Sequence, residues 1–239
     1  KDNRALVYEN SRITFSRMDR AVNSLANHLK ALGIGKGDKV ALMLPNTPEF
    51  PIAYFACQKL GAVAVTLNVM STSHELRHLL DNSDAKALFT AAQSARRFEE
   101  IRDGLATCRH LLLTEVDEGP LSMKRVLEAG PFEFDPSDAA EDDPAVMIYT
   151  AGLTGKPLGA VLTHGNLISQ SRLLADLFDG SQKDTGLSLI PLFHSFGAVA
   201  NMLNPILMGA CVVMLDAFSI DSIFKAIEAE KVTYMTAVP

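Results

Sequence analysis

Short runs rich in apolar residues recur along this chain: KVALML (39 to 44), AVAVTLN (62 to 68), AKALFT (85 to 90) and HLLLT (110 to 114). Each is the length of one strand and carries residues that suit one. Between them lie stretches of helical period. Ser16, with Asp19 following, can cap a helix to about residue 32; Pro48 can open a second, which Gly61 ends; others begin at Ser73 and near Gln93. The alternation resumes with a helix from Asn166 to about Phe178. Strands follow at TGLSLI (185 to 190), CVVML (211 to 215) and VTYMTAV (232 to 238), with a helix from Ser219 between the last two. Strand–helix–strand order of this kind predicts an α/β fold of layered, largely parallel sheets flanked by helices.

One loop interrupts the pattern. Residues 149 to 159 read YTAGLTGKPLG, set between AVMIY (145 to 149) and AVLTH (160 to 164), two runs that suit strands. Glycines at 152, 155 and 159 allow positive φ, so successive N–H groups can converge on one anion. Thr150 and Thr154 add hydroxyl donors and Lys156 adds charge. The loop is no Walker motif: that motif opens a helix, needs Ser or Thr after its Gly-Lys pair where this chain has Pro157, and needs glycine where it has Thr150.

Together with AVLTHGNL (160 to 167), the stretch resembles the phosphate loop of the adenylate-forming superfamily of acyl-CoA synthetases, luciferases and related ligases. The family form is close to YTSGTTGxPKG, so this chain departs from it at Ala151, Leu153 and Leu158, losing a polar group each time. A charge-assisted hydrogen bond is worth about 1.5 to 3 kcal/mol, so the missing lysine alone could slow the ATP step about ten- to a hundredfold, with Lys156 compensating in part. A second run, LSLIPLFHSFG (187 to 197), reads as a buried strand ended by Pro191, an aromatic and histidine turn, and an apolar helix from near Ala198. It resembles the family's second core motif. GIGKGDKVALMLPNTPEFPIAYFACQKLGAVAVTLN (33 to 68) resembles the opening strand, helix and strand, and VTYMTAVP (232 to 239) the strand before the next helix.

The resemblance implies an ATP-dependent carboxylic acid–CoA ligase. ATP phosphates would lie on Thr150, Ala151, Gly152, Leu153, Thr154, Gly155, Lys156 and Gly159, with Thr150 also a contact for Mg²⁺. The acyl gate would comprise His194 with Phe193, Ser195 and Gly197. Amino-acid-activating relatives carry aspartate at the place of His194, and imidazole has no negative charge to offer an ammonium. That points to a simple aliphatic or aromatic acid, a medium- or long-chain fatty acid foremost, with coenzyme A as co-substrate. The family's later motifs should follow Pro239, so residues 1 to 239 are expected to be the first part of a synthetase, inactive alone. Residues 38 to 178 would form most of one α/β subdomain, and 1 to 37 with 183 to 239 part of a second. A homodimer is compatible with this reading. The alternatives are a nucleotide-binding homologue with impaired catalysis and an acyl-AMP ligase with another acceptor.

Composition agrees. With 48% hydrophobic residues among 239, the chain can bury a large core. Its net charge of −6 is concentrated in PFEFDPSDAAEDDP (131 to 144), which reads as an exposed acidic linker; nothing basic remains to recruit nucleic acid. Three widely spaced cysteines, Cys57, Cys108 and Cys211, suit a reducing compartment and a cytoplasmic protein. Residues 197 to 215 carry no charge, but two asparagines, a proline and Gly209 divide them into a helix and a strand, so no integral membrane segment is expected.

A rival of another class is written in His74, Glu75 and His78. HELRH is the zinc-peptidase pattern, two histidines one turn apart with a glutamate as base. On a helical wheel, however, the histidines point away from the stripe of Leu76, Leu79 and Leu80 and should face solvent. Glu99 or Glu100 could be offered as a third ligand, but Asn82, Ser83 and Asp84 end the helix soon after His78.

Overall fold

The computed structural model describes residues 3 to 150, 157 to 215 and 218 to 238. Its elements run β1 (Arg4–Tyr8), β2 (Ser11–Thr14), α1 (Phe15–Ala31), β3 (Lys39–Met43), α2 (Glu49–Leu60), β4 (Val63–Thr66), α3 (Ser73–Ser83), β5 (Ala85–Ala91), α4 (Ala95–Glu99) and β6 (His110–Thr114). There follow α5 (Met123–Ala129), β7 (Pro144–Thr150), β8 (Leu158–Thr163), α6 (His164–Leu177), β9 (Thr185–Ser188), α7 (Ser195–Ala198), α8 (Asn204–Met208), β10 (Cys211–Met214), α9 (Ile220–Glu230) and β11 (Tyr234–Thr236). A π-helical turn, Val199–Leu203, joins α7 to α8. Contacts divide the chain into two units. Arg20–Leu44 with Ile52–His164 form one, and Lys1–Asp19, Pro45–Pro51 and Gly165–Pro239 the other. The division runs through helices α1, α2 and α6 rather than between elements.

The larger unit holds a six-stranded sheet in the order β6-β5-β3-β4-β7-β8, parallel except for the final hairpin pair. All four residues of β4 are buried, and in β3, β5 and β6 all but one each, which explains their continuous apolar runs. Leu76, Leu79 and Leu80 of α3 and Phe98 of α4 close a core with Leu88, Leu111 and Leu113. Burying one such side chain fully is worth about 1.5–3 kcal/mol.

The smaller unit carries a five-stranded sheet, β11-β9-β10-β1-β2, parallel except between β1 and β2. Val7, Leu187, Cys211, Val213 and Ile223 form its core cluster. Ser219 caps α9 by accepting from the Ser222 N–H, at the helix start the sequence predicts. Glu230 of α9 pairs with Arg4 and Arg12.

Several boundaries differ from expectation. Helix α1 begins at Phe15, and the hydroxyl of Thr14, not Ser16, accepts the Arg17 N–H at 3.2 Å. Helix α6 starts at His164, whose N–H donates to the Asp143 carbonyl, so Asn166 sits inside the first turn instead of capping it. In the uncharged stretch 197 to 215 the asparagines break nothing: Asn201 lies in the π turn, Asn204 opens α8, and Gly209 (φ +74°) ends it before β10. No helix among the described residues is long and apolar enough to cross a membrane.

The acidic linker is fastened down. Asn27 donates to the carbonyls of Pro131 and Glu133, Asn23 to that of Phe132, and Lys36 to that of Asp138. The Ser137 N–H donates to Lys59 at the end of α2, and the Arg20 guanidinium lies 4.0 Å from the Phe132 ring centre. Most of its carboxylates are exposed as expected, but Asp143 pairs with Lys36 at 2.7 Å. The segment is therefore a strap bound through its backbone, which hydropathy alone does not show.

Candidate functional site

The two runs flanking the glycine-rich loop are the antiparallel strands β7 and β8, with Tyr149 opposite Gly159 and Thr150 opposite Leu158. The loop thus joins two strands, as its flanks predict. Ala151, Gly152, Leu153, Thr154, Gly155 and Lys156 lie outside the described residues. Thr150 is exposed at the end of β7, and its hydroxyl donates to the Leu158 carbonyl at 3.4 Å, a long contact that commits the group only weakly. Leu158, where the family form has lysine, is 63% exposed.

Gly159 corrects one expectation. It lies in β8 and not among the residues of positive φ; what favours glycine there is space, because a Cβ would stand 2.9 Å from Met147 Sδ and 3.1 Å from its Cγ. The stem is anchored one residue before the loop, where the Tyr149 hydroxyl donates to Asn82 Oδ1 at 2.7 Å and lies 3.3 Å from the Leu79 carbonyl. Burial raises the pKa of that hydroxyl, which stays a donor at neutral pH. At the hairpin's exit, His164 has a buried Nε2 with no hydrogen-bond partner among the described residues, and burial above all lowers its pKa.

The second motif forms a turn in the smaller unit. β9 ends at Ser188, and residues 189 to 192 lead to Phe193 and His194, whose rings lie 4.3 Å apart and 36° from parallel. His194 is exposed at the N-cap position of α7, its N–H donating to the Pro191 carbonyl and its own carbonyl accepting from Ala198. The helix opens at Ser195, three residues before the predicted start. Gly197 is required by close approach, since a Cβ there would stand 2.2 Å from the Pro191 carbonyl oxygen.

Two asparagines that sequence reasoning passed over hold this turn. Asn46, buried in the loop after β3, donates to the Ile190 carbonyl at 3.0 Å and accepts from the Leu192 N–H at 2.9 Å. Asn201, buried in the π turn, accepts from the Leu189 and Ile190 N–H groups at 3.3 and 3.1 Å in the amide orientation that satisfies both its ends, while its Nδ2 faces the Thr236 hydroxyl. The available signal was the presence of amides in apolar surroundings, since a buried amide needs partners.

HELRH falls on α3 without assembling a metal centre. Glu75 serves in a capping box, its carboxylate accepting from the Thr72 N–H at 2.8 Å while the Thr72 hydroxyl accepts from Glu75 N. Glu100 accepts from the Ser73 hydroxyl and pairs with Arg96. His74 is exposed, but His78 is half-buried with Nε2 sealed from solvent, contrary to its place on the wheel. It lies one turn before Asn82, on the flank where the Tyr149 side chain lands. Among the described residues no group of three or more His, Cys, Asp or Glu could hold a metal ion. The cysteines are free and buried; burial pushes the thiols of Cys57 and Cys108 up to about 12, which makes poor nucleophiles.

Comparison with protein families matches the whole chain, residues 1 to 239, to a model described as AMP-binding enzyme. The chain is similar to the feruloyl-CoA synthase of an Amycolatopsis species, at 33% identity over 227 residues, covering 95% of this chain and 44% of that protein. It is similar also to the long-chain-fatty-acid–CoA ligase FadD13 of Mycobacterium tuberculosis, 31% identical over 231 residues, with 95% and 44% covered. Among solved structures, the inhibitor-bound N-terminal domain of FACL13 from Mycobacterium tuberculosis matches with a TM-score of 0.91 at 29% identity, covering 100% of this chain and 59% of that one. The chain spans less than half the length of these curated relatives.

Proposed function

The chain belongs to the AMP-binding enzyme family, and we propose that the full-length protein is an AMP-forming acid–CoA ligase in which this chain supplies the phosphate loop and the acid gate. The observation that carries the reading is the β7–β8 hairpin, whose stem ends at Thr150 and Leu158 with the glycine-rich sequence as its tip.

In this mechanism a carboxylate oxygen of the acid attacks the α-phosphorus of ATP, the bond to the bridging oxygen breaks, and pyrophosphate leaves with that electron pair. Main-chain N–H groups of residues 151 to 156, with the Thr150 and Thr154 hydroxyls and Lys156, hold the β- and γ-phosphates where charge accumulates. The sulfur of coenzyme A then attacks the acyl carbon and AMP departs, the thiol proton passing to solvent. Thr150 offers an exposed, weakly committed hydroxyl oxygen, which would suit Mg²⁺ as one hard ligand. Bound there, the ion would neutralise phosphate charge. His194 orients the acid and shapes the pocket mouth without proton transfer.

The names of the relatives cover an aromatic acid and a long-chain fatty acid, and a medium- or long-chain fatty acid is the substrate proposed here. Three buried, free cysteines suit the cytoplasm as its location. The test is acid-dependent exchange of pyrophosphate into ATP by the full-length protein over a panel of carboxylic acids, followed by acyl-CoA formation. Gly155→Val should abolish the exchange. Absence of exchange with every acid, or full activity of the valine variant, would refute the assignment. A nucleotide-binding protein without activation is the second reading, favoured by the apolar Leu158 at the stem, and it predicts ATP binding without exchange.

A further inference from the structure

Residues 189 to 192 carry the main chain from β9 to Phe193 and His194, and no strand among the described residues pairs with them: both ladders on β9 end at Ser188. Main-chain groups that leave a sheet inside a protein must find other partners. Here side chains from two distant parts of the same unit supply them. Asn46 grips the Ile190 carbonyl and the Leu192 N–H, bracketing Pro191, which has no N–H to give. Asn201 grips the Leu189 and Ile190 N–H groups from the other element. The π turn is part of the arrangement: the Asn204 N–H reaches back five residues to Val199, so the turn holds one residue more than an α-helical turn at the place where Asn201 meets the backbone. Gly197 then closes onto the Pro191 carbonyl.

We infer that Asn46 and Asn201 are positioning residues of the acid site: together they fix the turn that sets His194, with Thr236 holding the Asn201 amide in orientation. This rests on the acid-gate reading of His194 given above. Neither asparagine needs to touch the acid. A residue whose ring must lie against a reacting carboxylate is sensitive to small displacements, and an error of about 1 Å can cost about a hundredfold in rate. His194 stands exposed at the N-cap position with its ring beside that of Phe193, the residue before it, so the backbone of the turn carries both rings together. Buried amides bonded at both ends give that backbone one arrangement rather than several.

The experiment uses the full-length protein with Asn46→Ala and, as a milder change, Thr236→Val. Two readouts are taken beside circular dichroism: KM for acid and for ATP in the exchange reaction, and the rate at which diethyl pyrocarbonate modifies His194 relative to exposed His74, followed by mass spectrometry. Loss of one buried hydrogen bond corresponds to about a five- to tenfold change in an equilibrium. Asn46→Ala should therefore raise KM for the acid about tenfold and Thr236→Val about threefold, with KM for ATP within about twofold of wild type. Modification of His194 should change by about threefold or more while His74 stays constant. Unchanged labelling of His194 in a folded variant, or a parallel rise of both KM values, overturns the inference. If Asn46→Ala does not fold, Thr236→Val decides by the same criteria. If the wild-type protein gives no acid-dependent exchange, the functional reading fails, while the labelling still rules on the clamp.

Discussion

Between Pro144 and Thr163 the strands of the hairpin pair along their length, whereas residues 189 to 192 are held by two side chains arriving from elsewhere in their unit. Both segments deliver a candidate functional element. A ladder distributes its bonds over many backbone groups, so single side chains matter little, and its geometry survives most substitutions. A clamp concentrates the same task in Asn46, Asn201 and Gly197, so each of them is exposed to mutation. The lesson is that a position's sensitivity follows how its backbone is bonded, not how near it lies to the chemistry.

The largest effect that would sharpen this contrast is expected at Gly197. Alanine there puts a methyl group 2.2 Å from a carbonyl oxygen that cannot swing aside, and should cost about 3 kcal/mol in urea unfolding of the smaller unit. A loss below about 1 kcal/mol would mean the turn yields easily and the contrast is false. On the hairpin side, Tyr149→Phe removes the bond to Asn82 and should cost about 1 kcal/mol in urea unfolding of the larger unit. A cost equal to that of Gly197→Ala would show the stem to be as concentrated as the clamp.

Acidity separates the two more gently. Asparagines do not titrate, but His164 at the hairpin exit has its pKa lowered chiefly by burial and also by Lys36, against the pull of Asp143. With the folded value depressed, the unfolded chain binds more protons below the ordinary histidine pKa of about 6.5. Stability from this group is complete above that value and is lost as pH falls through the folded pKa. Protection factors, exchange rates corrected for the intrinsic pH dependence, should therefore fall in residues 157 to 164 on acidification from neutral pH while those of residues 189 to 197 change less, and His164→Gln should remove the difference. An equal fall in both would break the comparison. The smallest effect on stability is expected from Leu158→Lys, within about 0.5 kcal/mol because the side chain is exposed. The same change should speed adenylation by the full-length protein, and no gain would mean that Lys156 already fills the role.

Much of the framework was legible in the sequence because it depends on local chemistry. The runs at β3, β4, β5, β6 and β10 are apolar since both faces are covered, and Ser219 announces α9 by a cap that needs only its own neighbours. The hairpin β1–β2 went unseen although ALVY fits a strand; its turn has Glu9 at φ 48° where asparagine or glycine is the usual marker. Helix α5 also escaped, having only seven residues, although Ser122 caps it by accepting the Arg125 N–H. At the candidate site, the strand–loop–strand geometry and the turn at His194 follow from residues close in sequence. The clamp does not, because Asn46 and Ile190 lie 144 positions apart and nothing local in either marks the other. His78 departs from its place on the wheel, half-buried with Nε2 sealed from solvent, because a wheel counts only the helix's own residues.

The strap across α1 and α2 has a practical corollary. Its fastenings run largely to carbonyl oxygens, which every amino acid carries, so the identities of Glu133, Asp135 and Glu141 are almost free to drift. Labels or cross-linkers attached at those side chains would report on the larger unit while leaving its attachment intact.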